Sequence, residues 1–116
     1  MLVAALMAWS VMEPQAPAAP RPTASTYAEA LRCSGLTQAA SELEGGESGE
    51  GQALYDAALY WSLTTIQSGQ ATRRPTATVE AEMTRSRVQA VRELTARNEA
   101  ARAALQQCRA RTPSLG

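Results

Sequence analysis

The chain has 116 residues, with 24 Ala and 11 Arg but no Lys, His or Phe, and its formal net charge is zero. A chain of this length forms at most one domain. Because most of its apolar side chains are small and bury little area each, we expect a thin core held by a few large anchors. The lack of His removes the usual general base and a common zinc ligand.

The first twelve residues, MLVAALMAWSVM, are uncharged and mostly apolar, and the Pro-rich stretch EPQAPAAPRP follows them. This pattern predicts a signal peptide over 1–18, cleaved after Ala18, and a Pro-rich linker over 19–25, although the segment lacks the usual N-terminal Lys or Arg. As a helix these twelve residues reach about 18 Å, short of the roughly 30 Å hydrocarbon core of a membrane. The alternative is an apolar N-terminus that is retained.

The remaining chain, over 26–112, is predicted to be a single helical domain of three helices, with a disordered tail over 113–116. Thr26 and Glu29 have capping-box spacing and open a first helix over about 26–43, in which Gly35 is expected to introduce a kink. The Gly-rich stretch EGGESGEG ends this helix.

The second helix is predicted over about 52–67, with Gly69 as a stop signal. From Thr76 to Ala110 there is no Gly or Pro, so a single long third helix is predicted over 76–110.

Cys33 and Cys108 both lie on apolar helix faces and are predicted to form one disulfide bond. In an antiparallel hairpin the numbers of facing residues have a nearly constant sum. The turn between Gln67 and Thr76 sets this sum at 143, and the two cysteines give 141. The hairpin therefore stacks the first two helices end to end along the third. Its further facing pairs are Leu36 with Leu105, Ala40 with Ala101, Leu54 with Ala90, and Trp61 with Met83.

The alternative is a compact up-down-up bundle in which the first helix folds back on the second. With an unbroken third helix, this arrangement separates the cysteines by about 37 Å, too far for a disulfide. The compact bundle therefore requires a break near Thr95 to Asn98, or cysteines that stay reduced or pair between chains. The predicted fold is all-α: an antiparallel helical hairpin, which we prefer, or a small bundle of three helices, clamped by one disulfide.

The second helix is apolar around about 240° of its circumference, more than one neighbouring helix covers. Leu54, Ala57, Ala58, Trp61 and Thr65 fill one side, and Tyr55, Leu59, Leu63 and Ile66 fill the next. A central core helix would bury both sides within the chain, whereas an interface would leave one for a partner. Since the hairpin offers no fold-back cover, we predict six partner-binding residues: Tyr55, Leu59, Tyr60, Trp61, Leu63 and Ile66.

Charge is divided along the chain, with acidic residues concentrated before Gln67 and nine Arg after it. This division predicts attraction between the two halves. The Arg residues do not form one stripe and no aromatic residue lies among them, which argues against nucleic-acid binding. No nucleophile has a recognisable activating neighbour and no metal-ligand cluster is present, so we expect no catalysis, no metal and no cofactor.

These features predict a small exported bacterial protein, periplasmic or secreted, that acts by binding another protein or by self-association. One alternative is an envelope structural protein tethered to a membrane by a retained N-terminus. A second is a carrier that uses the apolar arc as a pocket for a small ligand or lipid.

Overall fold

A computed structural model of the protein describes residues 25–114, which form four α-helices. The predicted signal peptide, all but the last residue of the predicted linker, and the last two residues of the predicted tail lie outside the described residues. The helices are α1 (Tyr27–Glu44), α2 (Gly49–Ala71), α3 (Thr76–Thr95) and α4 (Glu99–Ala110).

Polar caps set where three of the helices begin. The Thr26 hydroxyl accepts a hydrogen bond from the Glu29 backbone N–H at 3.1 Å, as the capping box predicts. Ser48 caps α2 through the Gly51 N–H, so this helix begins three residues before the predicted start. Asn98 caps α4 through the Ala101 N–H at 2.9 Å. A side chain thus satisfies one of the unpaired N–H groups at each of these starts.

The predicted third helix over 76–110 is wrong as a single helix, because the chain breaks between Thr95 and Glu99. Arg97 adopts a left-handed conformation, with φ of 58°. Its N–H donates to the Leu94 carbonyl at 3.1 Å, and the Asn98 N–H donates to the Glu93 carbonyl at 3.0 Å. These two bonds form a Schellman motif, which ends α3 and lets the chain reverse into α4.

The break places α1 at the centre of a compact bundle, where it packs against each of the other three helices. The preferred hairpin, with the first two helices stacked end to end, is therefore wrong, and the bundle with a broken third helix is the observed arrangement. α2 folds back antiparallel on α1, so that Tyr27 reaches Gly69. α3 runs parallel to α1, and α4 returns antiparallel to it, which brings Cys33 next to Cys108.

Small side chains allow α1 to have three helical neighbours. Its buried positions are mostly Ala, Ser, Thr, Cys or Gly, and Leu36 is its one buried aliphatic residue larger than Ala. At Gly35 a Cβ atom would lie 2.7 Å from the Ser86 backbone, so α3 crosses α1 at this glycine. α1 continues through Gly35 as a helix. The expected kink at Gly35 is therefore not observed, and the glycine instead allows close packing of α3 against α1.

Buried polar groups in the core are hydrogen-bonded within the described part of the chain. The Thr37 hydroxyl donates to the Cys33 carbonyl at 2.7 Å, and Ser34 and Ser62 pair across α1 and α2 at 3.2 Å. The Ser86 hydroxyl donates to the Leu31 carbonyl at 2.9 Å, which ties α3 to α1. The core is therefore small and partly polar, yet it contains no unsatisfied buried side-chain group in residues 25–114.

Candidate protein-binding surface

The Cys33–Cys108 disulfide joins α1 to α4, with the two Cα atoms 5.4 Å apart. The predicted pairing is confirmed. The Trp61 indole N–H donates to the Cys108 carbonyl at 3.2 Å and to the Thr112 hydroxyl at 2.9 Å. The side of α2 that carries Trp61 is thereby fixed against the disulfide and the end of α4.

The two sides of the apolar arc of α2 differ in solvent exposure, because the side that carries Trp61 is fixed in the core. Trp61 is only 1% exposed. The same side holds the rest of the buried group predicted from the helical wheel, namely Leu54, Ala57, Ala58 and Thr65. The neighbouring side is largely exposed, and at its C-terminal end Ile66 lies beside Val79 and Glu80 of α3.

The outward side consists of four large apolar residues, which we call the α2 face: Tyr55 (53% exposed), Leu59 (45%), Leu63 (58%) and Ile66 (39%). Their spacings of four, four and three residues align them on one side of the helix, over about 16 Å of its length. Leu43 and Val88 are the other large apolar residues exposed among residues 25–114, and both lie on other helices. The α2 face is therefore a contiguous patch rather than scattered exposure.

The border of the α2 face is polar and carries a few charges. Gln52 and Gln70 lie at its two ends and are exposed, and the half-buried Ser62 lies on the border toward α1. On the other border the exposed Asp56 adjoins the leucines of the face, and at the C-terminal end Ile66 shares a cavity with Arg74 and Glu80. A partner that covers the face must therefore leave these charges solvated or pair them.

The six predicted partner-binding residues do not all lie on this surface. Trp61 was wrongly placed among them, because it is buried in the core and bonded to α4. Tyr60 is partly buried with its ring edge-on to Trp61, at 5.0 Å between ring centroids. The remaining four form the α2 face. Gln52 and Gln70 were not predicted to border this surface, although the helical wheel places both beside Leu59.

Ion pairs join the acidic first part of the chain to the basic second part. Three of the four pair an Arg after Gln67 with a Glu before it: Arg87 with Glu42, Arg109 with Glu50, and Arg111 with Glu29. The fourth is a two-bond pair in which Arg32 donates to both Glu93 oxygens, at 2.9 and 3.1 Å. All four lie away from the α2 face, so they hold the bundle together and do not shape the surface.

Two cavities differ in their relation to the α2 face. A groove of about 520 Å³ lies between the α1–α2 loop and the break after α3. Its apolar floor includes Leu43, Leu54 and Leu105, its rim is charged, and none of the four α2 face residues lines it. A smaller cavity of about 180 Å³ lies between the C-terminal end of α2 and the start of α3, where Ile66 of the face lies beside Val79.

Two further kinds of structural feature are absent from the described residues. No helix in residues 25–114 combines the length and apolar character needed to cross a membrane. In the same range, no group of three or more His, Cys, Asp or Glu side chains is placed to hold a metal ion.

Comparison with known proteins gave no relative: no protein-family model, no curated protein and no solved structure matches the chain.

Proposed function

We propose that this protein is a small exported helical protein that acts by binding another protein molecule through the α2 face, without catalysis. The observation that carries the proposal is the exposure of Tyr55, Leu59, Leu63 and Ile66 as one stripe, at 39% to 58% of each residue. Apolar patches of a few hundred Å² are near the upper limit for a monomer and commonly mark interaction sites.

The composition of the surface supports a protein partner. Aromatic and aliphatic side chains surrounded by a polar rim are typical of protein–protein interfaces. The face also lies on a helix that is fixed by Trp61 on its opposite side, so little ordering free energy is required on binding.

Export to the periplasm or beyond is supported by the disulfide bond, because such bonds persist mainly in oxidising compartments. Intact-mass analysis of the protein from its native host tests this part of the proposal. Loss of residues 1–18 is expected, and a retained N-terminus would contradict it.

Site-specific photo-crosslinking in the native host tests the binding function. A benzoylphenylalanine replacing Leu63 is expected to form a protein adduct, because its ring lies on the α2 face. Excess unlabelled protein should suppress the adduct, and excess Leu59→Glu variant should not. The matched control places the probe at Gln89, an exposed position on α3, where no adduct is expected.

A mass increase by a small molecule at Leu63 would contradict protein binding and favour a carrier. Equal crosslinking at Leu63 and Gln89, or none at Leu63, would also contradict the proposal.

A further inference from the structure

We infer that the partner of the α2 face is a second copy of this chain, bound with its α2 helix antiparallel across a twofold axis level with Trp61. This inference rests on the proposed function, because it names the occupant of the same surface. Three properties of α2 carry it: the symmetric order of its exposed residues, the charges at its two ends, and the area of the face.

The order of the exposed residues along α2 is nearly symmetric about the level of Trp61. In a twofold interface, if residue i faces residue j, then j also faces i. When facing residue numbers sum to 122, Leu59 of each copy faces Leu63 of the other, and Tyr55 faces Ile66 to within one residue. Apolar side chains then meet along the stripe, and the exposed Asp56, which is opposite Ile66 in this register, must keep its carboxylate at the solvent edge of the interface.

The same alignment pairs the polar ends of the face. Gln52 of each copy faces Gln70 of the other, and both residues are exposed. A side-chain amide has both donors and an acceptor, so two facing amides can form hydrogen bonds with each other. The dimer therefore needs no desolvated, unpaired polar group at either end of the stripe.

Charge selects the antiparallel orientation over the parallel one. Glu47 lies just before the N-terminal end of α2 and Arg73 just after its C-terminal end, and both are exposed. The neighbouring charges already have contacts within the chain, since Glu50 pairs with Arg109 and the Arg74 guanidinium lies 4.0 Å from the centre of the Tyr27 ring. Antiparallel pairing brings Glu47 of one copy level with Arg73 of the other, twice per dimer. Parallel pairing would place like charges together at both ends.

The size of the face indicates a reversible dimer. A stripe of a few hundred Å² per copy buries less than the roughly 1,200 Å² in total that stable specific interfaces reach. Association should therefore depend on concentration. Ion pairs at the rim should make it stronger at low ionic strength.

Sedimentation velocity on the full 116-residue chain tests the surface, with concentrations from about 1 to 500 μM as expected for a small interface. A monomer–dimer equilibrium is expected. Leu63→Glu should weaken it by about 100-fold or more, because two carboxylates become buried against Leu59. The matched control is Val88→Glu, at an exposed apolar residue of α3, which should leave the dimer unchanged. Circular dichroism verifies that both variants retain the helical fold.

A charge-reversal pair tests the orientation. Glu47→Arg alone and Arg73→Glu alone should each weaken the dimer by about 3- to 10-fold at low salt, since each puts like charges together twice. In an equimolar mixture of the two variants, both contacts of the mixed dimer join opposite charges. The mixture should therefore recover the affinity of the unmodified chain.

Three results would overturn the inference: a monomer at every concentration, a dimer that Leu63→Glu does not affect, or a mixture that recovers no affinity. A monomer whose Leu63 probe still crosslinks to a different protein overturns the self-association alone. A monomer without any Leu63 adduct overturns the proposed function as well.

Discussion

At the scale of single residues, close contacts at small side chains determine how the helices approach. A Cβ atom at Gly35 would meet both the hydroxyl and the backbone of Ser86, whereas one at Gly49 would have no atom within 4 Å. The glycine in α1 is therefore required by packing. The glycine at the start of α2 is not.

Gly35→Ala is expected to lower the free energy of unfolding by about 2 to 3 kcal/mol, because the backbone of α3 must move away from α1. Gly49→Ala is the control and should be neutral or stabilising by up to about 1 kcal/mol, since alanine is the better helix former. Urea unfolding followed by circular dichroism measures both. Equal effects of the two substitutions would contradict the close α1–α3 crossing.

Most of the residue-level signals could be read from the sequence, and the errors have physical causes. The N-cap at Thr26 is a local pattern, and its prediction was correct, whereas the Glu29 carboxylate, the second partner in a capping box, pairs with Arg111. The burial of Trp61 was missed because it depends on the position of the Cys108 carbonyl, which lies 47 residues further along the chain. The helical wheel separated the two sides of α2, but it could not tell which side faces the rest of the chain.

At the scale of elements, two helices end in the same way without a glycine. Arg73 after α2 and Arg97 after α3 both have positive φ, at 56° and 58°, inside Schellman hydrogen-bond patterns. A glycine is the usual residue at such a position and the usual sequence signal for it. Because an arginine, Arg97, occupies this position after α3, the sequence predicted one long helix, and only the disulfide distance indicated a break.

Arg97→Gly is expected to raise the free energy of unfolding by about 0.5 to 1 kcal/mol, since glycine adopts the left-handed conformation without the steric cost of a Cβ atom. Arg97→Ala keeps that Cβ atom and serves as the control, with little change expected. Thermal and urea unfolding give the two values. A loss of stability in Arg97→Gly would mean that the chain does not reverse at this residue.

At the scale of the whole bundle, one covalent bond and four ion pairs within residues 25–114 join the first part of the chain to the second. The disulfide closes a loop with a sequence separation of 75 residues. The four ion pairs connect α1 and the start of α2 to α3, α4 and Arg111. Because the central helix α1 is lined by small residues, these connections are expected to contribute a large share of the stability.

Replacing both cysteines, as Cys33→Ala with Cys108→Ala, is expected to lower the free energy of unfolding by about 4 kcal/mol in the chain-entropy account. The double substitution avoids a free thiol that could pair between chains. Urea unfolding of the oxidised chain and of the variant provides the comparison. A difference below about 1 kcal/mol would show that the disulfide does not clamp the fold.

Stability is expected to be greatest between mildly acidic and mildly alkaline pH. Hydrogen bonds from Arg109 and Arg32 lower the pKa of Glu50 and Glu93, respectively, so their contribution is complete above the ordinary Glu pKa. It is lost as the pH falls through the lowered folded-state pKa values.

Tyr27 is expected to cause the decline in the free energy of unfolding at alkaline pH. Burial raises its pKa, and the charge of Glu82, which accepts its hydroxyl hydrogen bond, raises it further. Its contribution is complete below the ordinary tyrosine pKa and is lost as the pH rises through the higher folded-state pKa. Urea unfolding from about pH 3 to 11 should therefore show a plateau that declines at both ends. In Glu93→Gln the acid decline should be smaller, and an unchanged decline would contradict the role of the Arg32 pair.

The all-α class and the Cys33–Cys108 pairing were predictable because they follow from composition, periodicity and helix geometry. The choice between hairpin and bundle was not, because it depends on a three-residue turn whose left-handed residue is an arginine. The position of α1 at the centre also depends on packing between distant segments. Small side chains permit that position but do not by themselves predict it.

The bundle turns the Trp61 side chain inward against α4 and leaves the opposite side of α2 exposed. Nuclear Overhauser effects from the Trp61 indole N–H test this arrangement most directly. The indole nitrogen lies 2.9 Å from the Thr112 hydroxyl oxygen, so cross-peaks to Thr112 and Cys108 are expected. Cross-peaks to Met83 in their place would show the end-to-end hairpin and contradict the account.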